Sequence, residues 1–185
     1  MFSRIAVLVA SVLLILVFFF PLWQIGLIAP QYPEGLNLQI WINKVAGDVR
    51  NINVLNHYIG MSKVEPEKIP ELSWFPYLFG FFAATGLLAA ALNRKLLLQL
   101  WSAGLLTFAV WGLYDFYRWE YRFGHELSED APMKLEESYQ PPLIGTKQIL
   151  NISATSWPMT GGFAFSGAAT LALLVLLGAG LPRKK

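Results

Sequence analysis

His57 and Met61 stand four residues apart in the stretch His57-Tyr-Ile-Gly-Met61. On a helix that spacing brings an imidazole and a thioether to one face, and the pair suits copper where no thiolate competes. His125, Met133 and Met159 are further donors that could complete such a site. Gly60 works against a stable helix here. The same residues therefore also read as a hydrogen-bonded surface histidine and a methionine packed against a membrane face. Haem ligation by this pair is the poorer reading, because axial ligands approach from opposite faces.

A second group is Asp115, Arg118, Glu120 and Arg122. Asp115, Arg118 and Arg122 share one helical face, with Glu120 off it. A quinone-binding or acid–base role is one reading, and solvated charge at a membrane interface is the plainer one. Asn151-Ile-Ser153 matches a glycosylation sequon, a pattern common by chance. The chain has no cysteine, so disulfides, thiolate metal sites and c-type haem attachment are excluded. No nucleophile elbow, phosphate-binding loop or catalytic triad occurs, and no enzyme class gains support.

The elements that must position these residues are dominated by lipid-compatible sequence. Hydrophobic residues make up 55% of the 185-residue chain and charged residues only 14%, against about 25% charged in soluble domains. Uncharged runs predict an all-α membrane protein of four spans, at residues 5–29, 73–92, 96–116 and 158–181, each near the ~20 residues that cross a bilayer. The first reads as a retained signal anchor, since no small-x-small cleavage site follows it. Asn93-Arg94-Lys95 joins the second and third spans as a tight antiparallel hairpin. The third is expected to continue past the membrane, because residues 114–123 carry charge without Gly or Pro.

Residues 30–72 and 117–157 then form two extracytoplasmic segments that together make a small cap. Leu36-Asn-Leu-Gln-Ile-Trp-Ile-Asn43 alternates apolar with polar residues, the period of a short strand with one buried face. Asn51 to Met61 fits a loop entering a short helix. Small residues in the second and fourth spans, including Gly86, Gly161, Gly162 and Ala168, suit close helix packing within the bundle or against a partner subunit. Six of seven tryptophans sit at or beyond the outer interface, as anchors or as a platform for the cap.

Charge sets the orientation. With both termini in the cytoplasm, the inner side carries only Arg4, Arg94, Lys95, Arg183, Lys184 and Lys185, and all twelve acidic residues fall outside. That is the positive-inside bias of a multi-pass protein of the bacterial inner membrane. No ionisable residue lies in the apolar centre of a proposed span, which disfavours pumps and ion paths. A net charge of +2 gives no support to nucleic-acid binding.

Two segments, Ala29-Pro-Gln-Tyr-Pro-Glu-Gly-Leu36 and Asn51-Ile-Asn-Val-Leu-Asn-His-Tyr-Ile-Gly-Met61, resemble a family of small four-span membrane proteins. That family is associated with gene clusters for nitrous-oxide respiration of the atypical (clade II) type. The resemblance implies an accessory role beside a periplasmic copper-dependent enzyme: copper delivery, maturation or docking, or electron supply from the quinone pool. It adds weight to His57 and Met61, with copper as the candidate cofactor and a periplasmic or membrane protein as partner. Without cysteines the chain does not resemble a thiol-based copper chaperone. The alternatives are a quinol-linked electron-transfer subunit and a purely structural assembly factor.

Overall fold

The computed structural model describes residues 1–128, 132, 140–149 and 151–180. The fold is mixed α/β, which corrects the all-α expectation. Five helices, α1 (Phe2–Leu16), α2 (Val49–Ile59), α3 (Glu71–Leu92), α4 (Lys95–His125) and α5 (Thr160–Gly180), accompany five strands. The strands β1 (Trp23–Ala29), β2 (Tyr32–Ile40), β3 (Val45–Gly47), β4 (Gly145–Ile149) and β5 (Ile152–Pro158) form one antiparallel sheet in the order β3-β2-β1-β5-β4.

The correction concentrates on residues 5–29. The helix stops at Leu16, and Phe18-Phe19-Phe20-Pro21 leads into a strand. Proline supplies no backbone donor and pushes the residue before it out of helical geometry. Beyond it, Ile25, Gly26 and Ile28 are poor helix formers, and β1 finds partners on both sides. Trp23 to Ala29 pairs with β2, and Trp23 to Ile28 pairs with β5. β1 is thus an interior strand emerging directly from an apolar helix. Residues 152–157, expected only as part of an outer segment, and Pro158, expected to open the fourth span, form its other neighbour.

Three helices, α3, α4 and α5, are long and apolar enough to cross a membrane. At 15 residues, α1 is apolar but shorter, about 22 Å at 1.5 Å per residue. It packs on α3 and α5, and α5 also packs on α4, completing a four-helix bundle. The shared core is built on small side chains, with Ala6, Ala10, Ala83, Ala90, Ala168 and Ala172 letting backbones approach. A cluster of rings, Phe75, Phe79, Phe108 and Phe165, fills the rest. On the outside, Ile5, Leu8, Val9, Val12, Leu88, Leu100, Val110 and Phe163 are exposed, an apolar surface suited to lipid.

The sheet sits at one end of this bundle. α1 feeds β1, β5 feeds α5, and the last turns of α4 pack Phe116, Trp119 and Phe123 on the sheet. The amino terminus, the α3–α4 connection and the carboxy-terminal end of α5 therefore lie at the opposite end. Asn93, at φ 50°, makes the sharp turn between α3 and α4, and Trp101 Nε1 donates to the Phe82 carbonyl across that hairpin at 2.9 Å.

Backbone contacts lock sheet to bundle. Met159 N–H donates to Leu22 O and Gly161 N–H to Pro21 O, both at 2.9 Å. A Cβ at Gly161 would lie 2.6 Å from Phe20 O, and one at Gly162 would collide with Leu22 O. Gly161 and Gly162, expected to serve helix packing, thus serve the helix–sheet joint, whereas Gly86 does sit between helices, where a Cβ would collide with Ser11 and Trp101. Gly162→Ala is expected to lower stability by about 1–3 kcal/mol, the usual cost of overpacking. Gly178→Ala, where an added Cβ meets open space, should change little. Thermal unfolding in detergent, comparing the two, reads the difference.

Candidate functional site

The cap core lies between the sheet, α2 and the end of α4, formed by Ile25, Leu36, Leu38, Ile52, Leu55 and Val64 with Trp119 and Phe123 against them. α2 is amphipathic, and it ends where Gly60 adopts the left-handed conformation at φ 80°, which glycine enters without a Cβ penalty. Met61 N–H then donates to Asn56 O at 2.8 Å. Two asparagines hold the returning chain. Asn53 accepts from Val64 N–H at 2.7 Å and donates to Val64 O at 3.0 Å, and Asn56 Nδ2 donates to Ser62 O at 3.1 Å.

This turn separates the two expected copper donors. His57 is exposed and faces a surface groove with Arg50, Tyr58 and Lys63. Met61 is 8% exposed, packs with Ile59 and Ala154, and lines an internal apolar cavity instead. The helix that would align them ends at Ile59, two residues before Met61. His125 lies on the last turn of α4, its Nδ1 2.9 Å from Tyr121 O and its ring stacked on Tyr121 at 3.8 Å. Met159 is half-buried at the β5–α5 junction, and Met133 lies outside the described residues. Among the described residues, no group of three His, Cys, Asp or Glu side chains is placed to hold a metal ion.

The charged stretch of α4 divides differently from the expectation. Arg118 and Arg122 are exposed and Asp115 half-buried, whereas Glu120 is 2% exposed, the one buried charged residue type among the described residues. α4 spans 31 residues, about 46 Å, so it outruns a hydrocarbon layer of about 30 Å. Its final turns, Glu120 included, belong to the cap. Glu120 lines the same cavity as Met61, about 60 Å³, among Ile25, Leu55, Trp119 and Phe123. Both its carboxylate oxygens lack a hydrogen-bond partner.

Sequence reasoning put Glu120 off the Asp115 face but left it solvated. The usable signal was phase: Phe116, Glu120 and Phe123 recur at helical spacing on one stripe. Trp41 was read only as an anchor or platform residue, although its buried indole N–H also lacks a partner. It lines an adjoining cavity of about 90 Å³ with Leu72, Phe75 and Asp115.

Comparison with known proteins finds no matching family model, curated protein or solved structure. The site is therefore read from its own chemistry. Burial pushes the Glu120 carboxyl up from its ordinary 4.5 to about 8, because the charged form loses its hydration in an apolar cavity. The folded state then holds a proton that the unfolded chain releases. Stability conferred by this group is fully present below the unfolded value of 4.5 and is lost as pH rises toward about 8. Wild type is expected to lose several degrees of melting temperature between about pH 5 and about pH 8 from this linkage. Glu120→Gln, uncharged and nearly isosteric, should flatten that dependence and melt above wild type at the alkaline end.

Proposed function

We propose that this chain is an integral membrane accessory protein that holds a partner at the outer face of the bacterial inner membrane. The observation that carries this reading is the construction of the joint. The central strand of the cap is continuous with one bundle helix, its neighbour with another, and α4 runs unbroken from bundle into cap. Motion or force at the cap is thereby tied to the bundle, as a docking platform requires. Within the bundle, Ser11 Oγ donates to Val7 O at 2.8 Å and Ser102 is buried. No buried charge among the described residues offers an ion path there.

The resemblance of residues 29–36 and 51–61 supplies the partner class, a periplasmic copper-dependent respiratory enzyme. Docking is favoured over copper supply because His57 and Met61 face different cavities. On this reading, both termini are cytoplasmic and the cap faces the periplasm. An alkaline phosphatase inserted at exposed Lys63 is expected to be active, and a green fluorescent protein at the carboxy terminus to fluoresce. Purification of the tagged full chain in mild detergent from respiring cells should retain a copper-containing periplasmic oxidoreductase. Inactive phosphatase at Lys63, or recovery of the chain with no such enzyme, contradicts the proposal.

A further inference from the structure

Among the described residues, the buried side chains without a hydrogen-bond partner are Trp41, Ser102 and Glu120. Ser102 belongs to the bundle, and the other two belong to the cap. Each lines one of two adjoining cavities, Trp41 the larger and Glu120 the smaller, and Leu38, Val64 and Trp119 form walls of both. Leaving a buried polar group unpaired costs about 1–3 kcal/mol. Two such groups facing neighbouring apolar cavities call for a ligand that pairs both.

Their chemistry restricts that ligand. The indole N–H only donates, so its partner is an acceptor. A carboxyl held neutral can donate or accept, whereas an ionised one can only accept. A cationic ligand would place two charges in an apolar site, where attraction offsets desolvation only with further hydrogen bonds. The Glu120 cavity offers Asn56 as its other polar side chain, with Nδ2 already engaged with Ser62 O, and the Trp41 cavity adds Glu71 and Asp115 to a lining that is otherwise apolar. At the Glu120 end a neutral ligand is therefore the better match.

Shape points the same way. Trp119 and Phe123 stack at 4.0 Å, giving the site a flat aromatic wall. The cavities are about 90 and about 60 Å³, and only with the shared side chains drawn aside do they give a space on the order of the ~150 Å³ known to admit benzene. The larger one reaches Leu72 and Phe75 at the start of α3 and Gly112 of α4, the mouth of the bundle. We propose that these cavities form one site for a neutral, flat, apolar molecule with a hydrogen-bonding oxygen at each end, the chemistry of a quinone or quinol head group. Trp41 Nε1 donates to one oxygen, the Glu120 carboxyl pairs with the other, and entry is from the membrane side between the shared side chains. This inference goes beyond the docking role and does not depend on the partner.

The test is calorimetric titration of the full-length protein in detergent with decylubiquinone, using a decyl-substituted benzene of similar body as the comparison. Saturable binding of the quinone is expected, with at least tenfold weaker binding of the hydrocarbon. Glu120→Leu and Trp41→Phe should each weaken quinone binding about tenfold or more while leaving hydrocarbon partitioning unchanged. Trp41→Phe keeps the test decisive if Glu120→Leu fails to fold. Tighter binding of the decyl compound than of chainless duroquinone assigns the site to a membrane-borne ligand, and equal binding assigns it to a soluble one. Either result supports the site. Absence of saturable binding, equal affinity for quinone and hydrocarbon, or unchanged affinity in the folded variants overturns it.

Discussion

The structure depends on a requirement that every backbone group of residues 23–29 be satisfied where an apolar helix ends. A strand leaving a membrane-type helix cannot leave its N–H and C=O groups bare in an apolar surrounding. β1 meets that demand by taking partners on both edges, β2 from the next stretch of chain and β5 from more than a hundred residues later. The second pairing closes the fold. It draws β5 beside β1, starts α5 next to the α1–β1 turn, and requires Gly161 and Gly162 where the backbones meet. Trp23 extends the joint through side chains, donating to Ser156 Oγ at 2.7 Å, while Ser156 Oγ donates to Leu143 O at 3.1 Å.

That joint divides the molecule by chemistry. The bundle is packed from alanine, glycine and phenylalanine, and its threonines donate back to carbonyls of their own helices, as Thr85, Thr107 and Thr170 do. Of the described buried side chains with unmet demands, the cap holds Trp41 and Glu120 and the bundle holds Ser102. The two parts meet where α4 passes from one to the other. A carboxyl on that helix is shielded from water by the sheet on one side and α2 on the other. Burial there favours its neutral form.

Much of the bundle was legible because long uncharged runs have few alternatives. α3, α4 and α5 occupy Glu71–Leu92, Lys95–His125 and Thr160–Gly180, close to the apolar runs that suggested them. The alternation at Leu36 and Leu38 also signalled a strand, and both residues are buried in β2. Residues 23–29 misled because they are apolar throughout, a run that reads equally as helix or as a strand buried on both faces. What decides between them is a partner at residues 152–158, and such long-range pairing leaves no local mark. The site was less legible still. Four-residue spacing joined His57 to Met61 on paper, but Gly60 turns the chain between them, and the burial of Glu120 depends on elements remote in sequence.

The pairing of β1 with β5 is the claim on which this architecture rests, and a chain without cysteine allows a clean measurement of it. Ile28 and Ser153 face each other across the two strands, so Ile28→Cys combined with Ser153→Cys places two thiols within the short reach that a disulfide demands. Mild oxidation of the full-length double variant in membranes is expected to give one intramolecular cross-link in near-quantitative yield, with little when Ser153→Cys is replaced by Gly178→Cys. Failure of the Ile28–Ser153 pair to cross-link under conditions that oxidise both thiols would contradict the sheet, and with it the joint between bundle and cap.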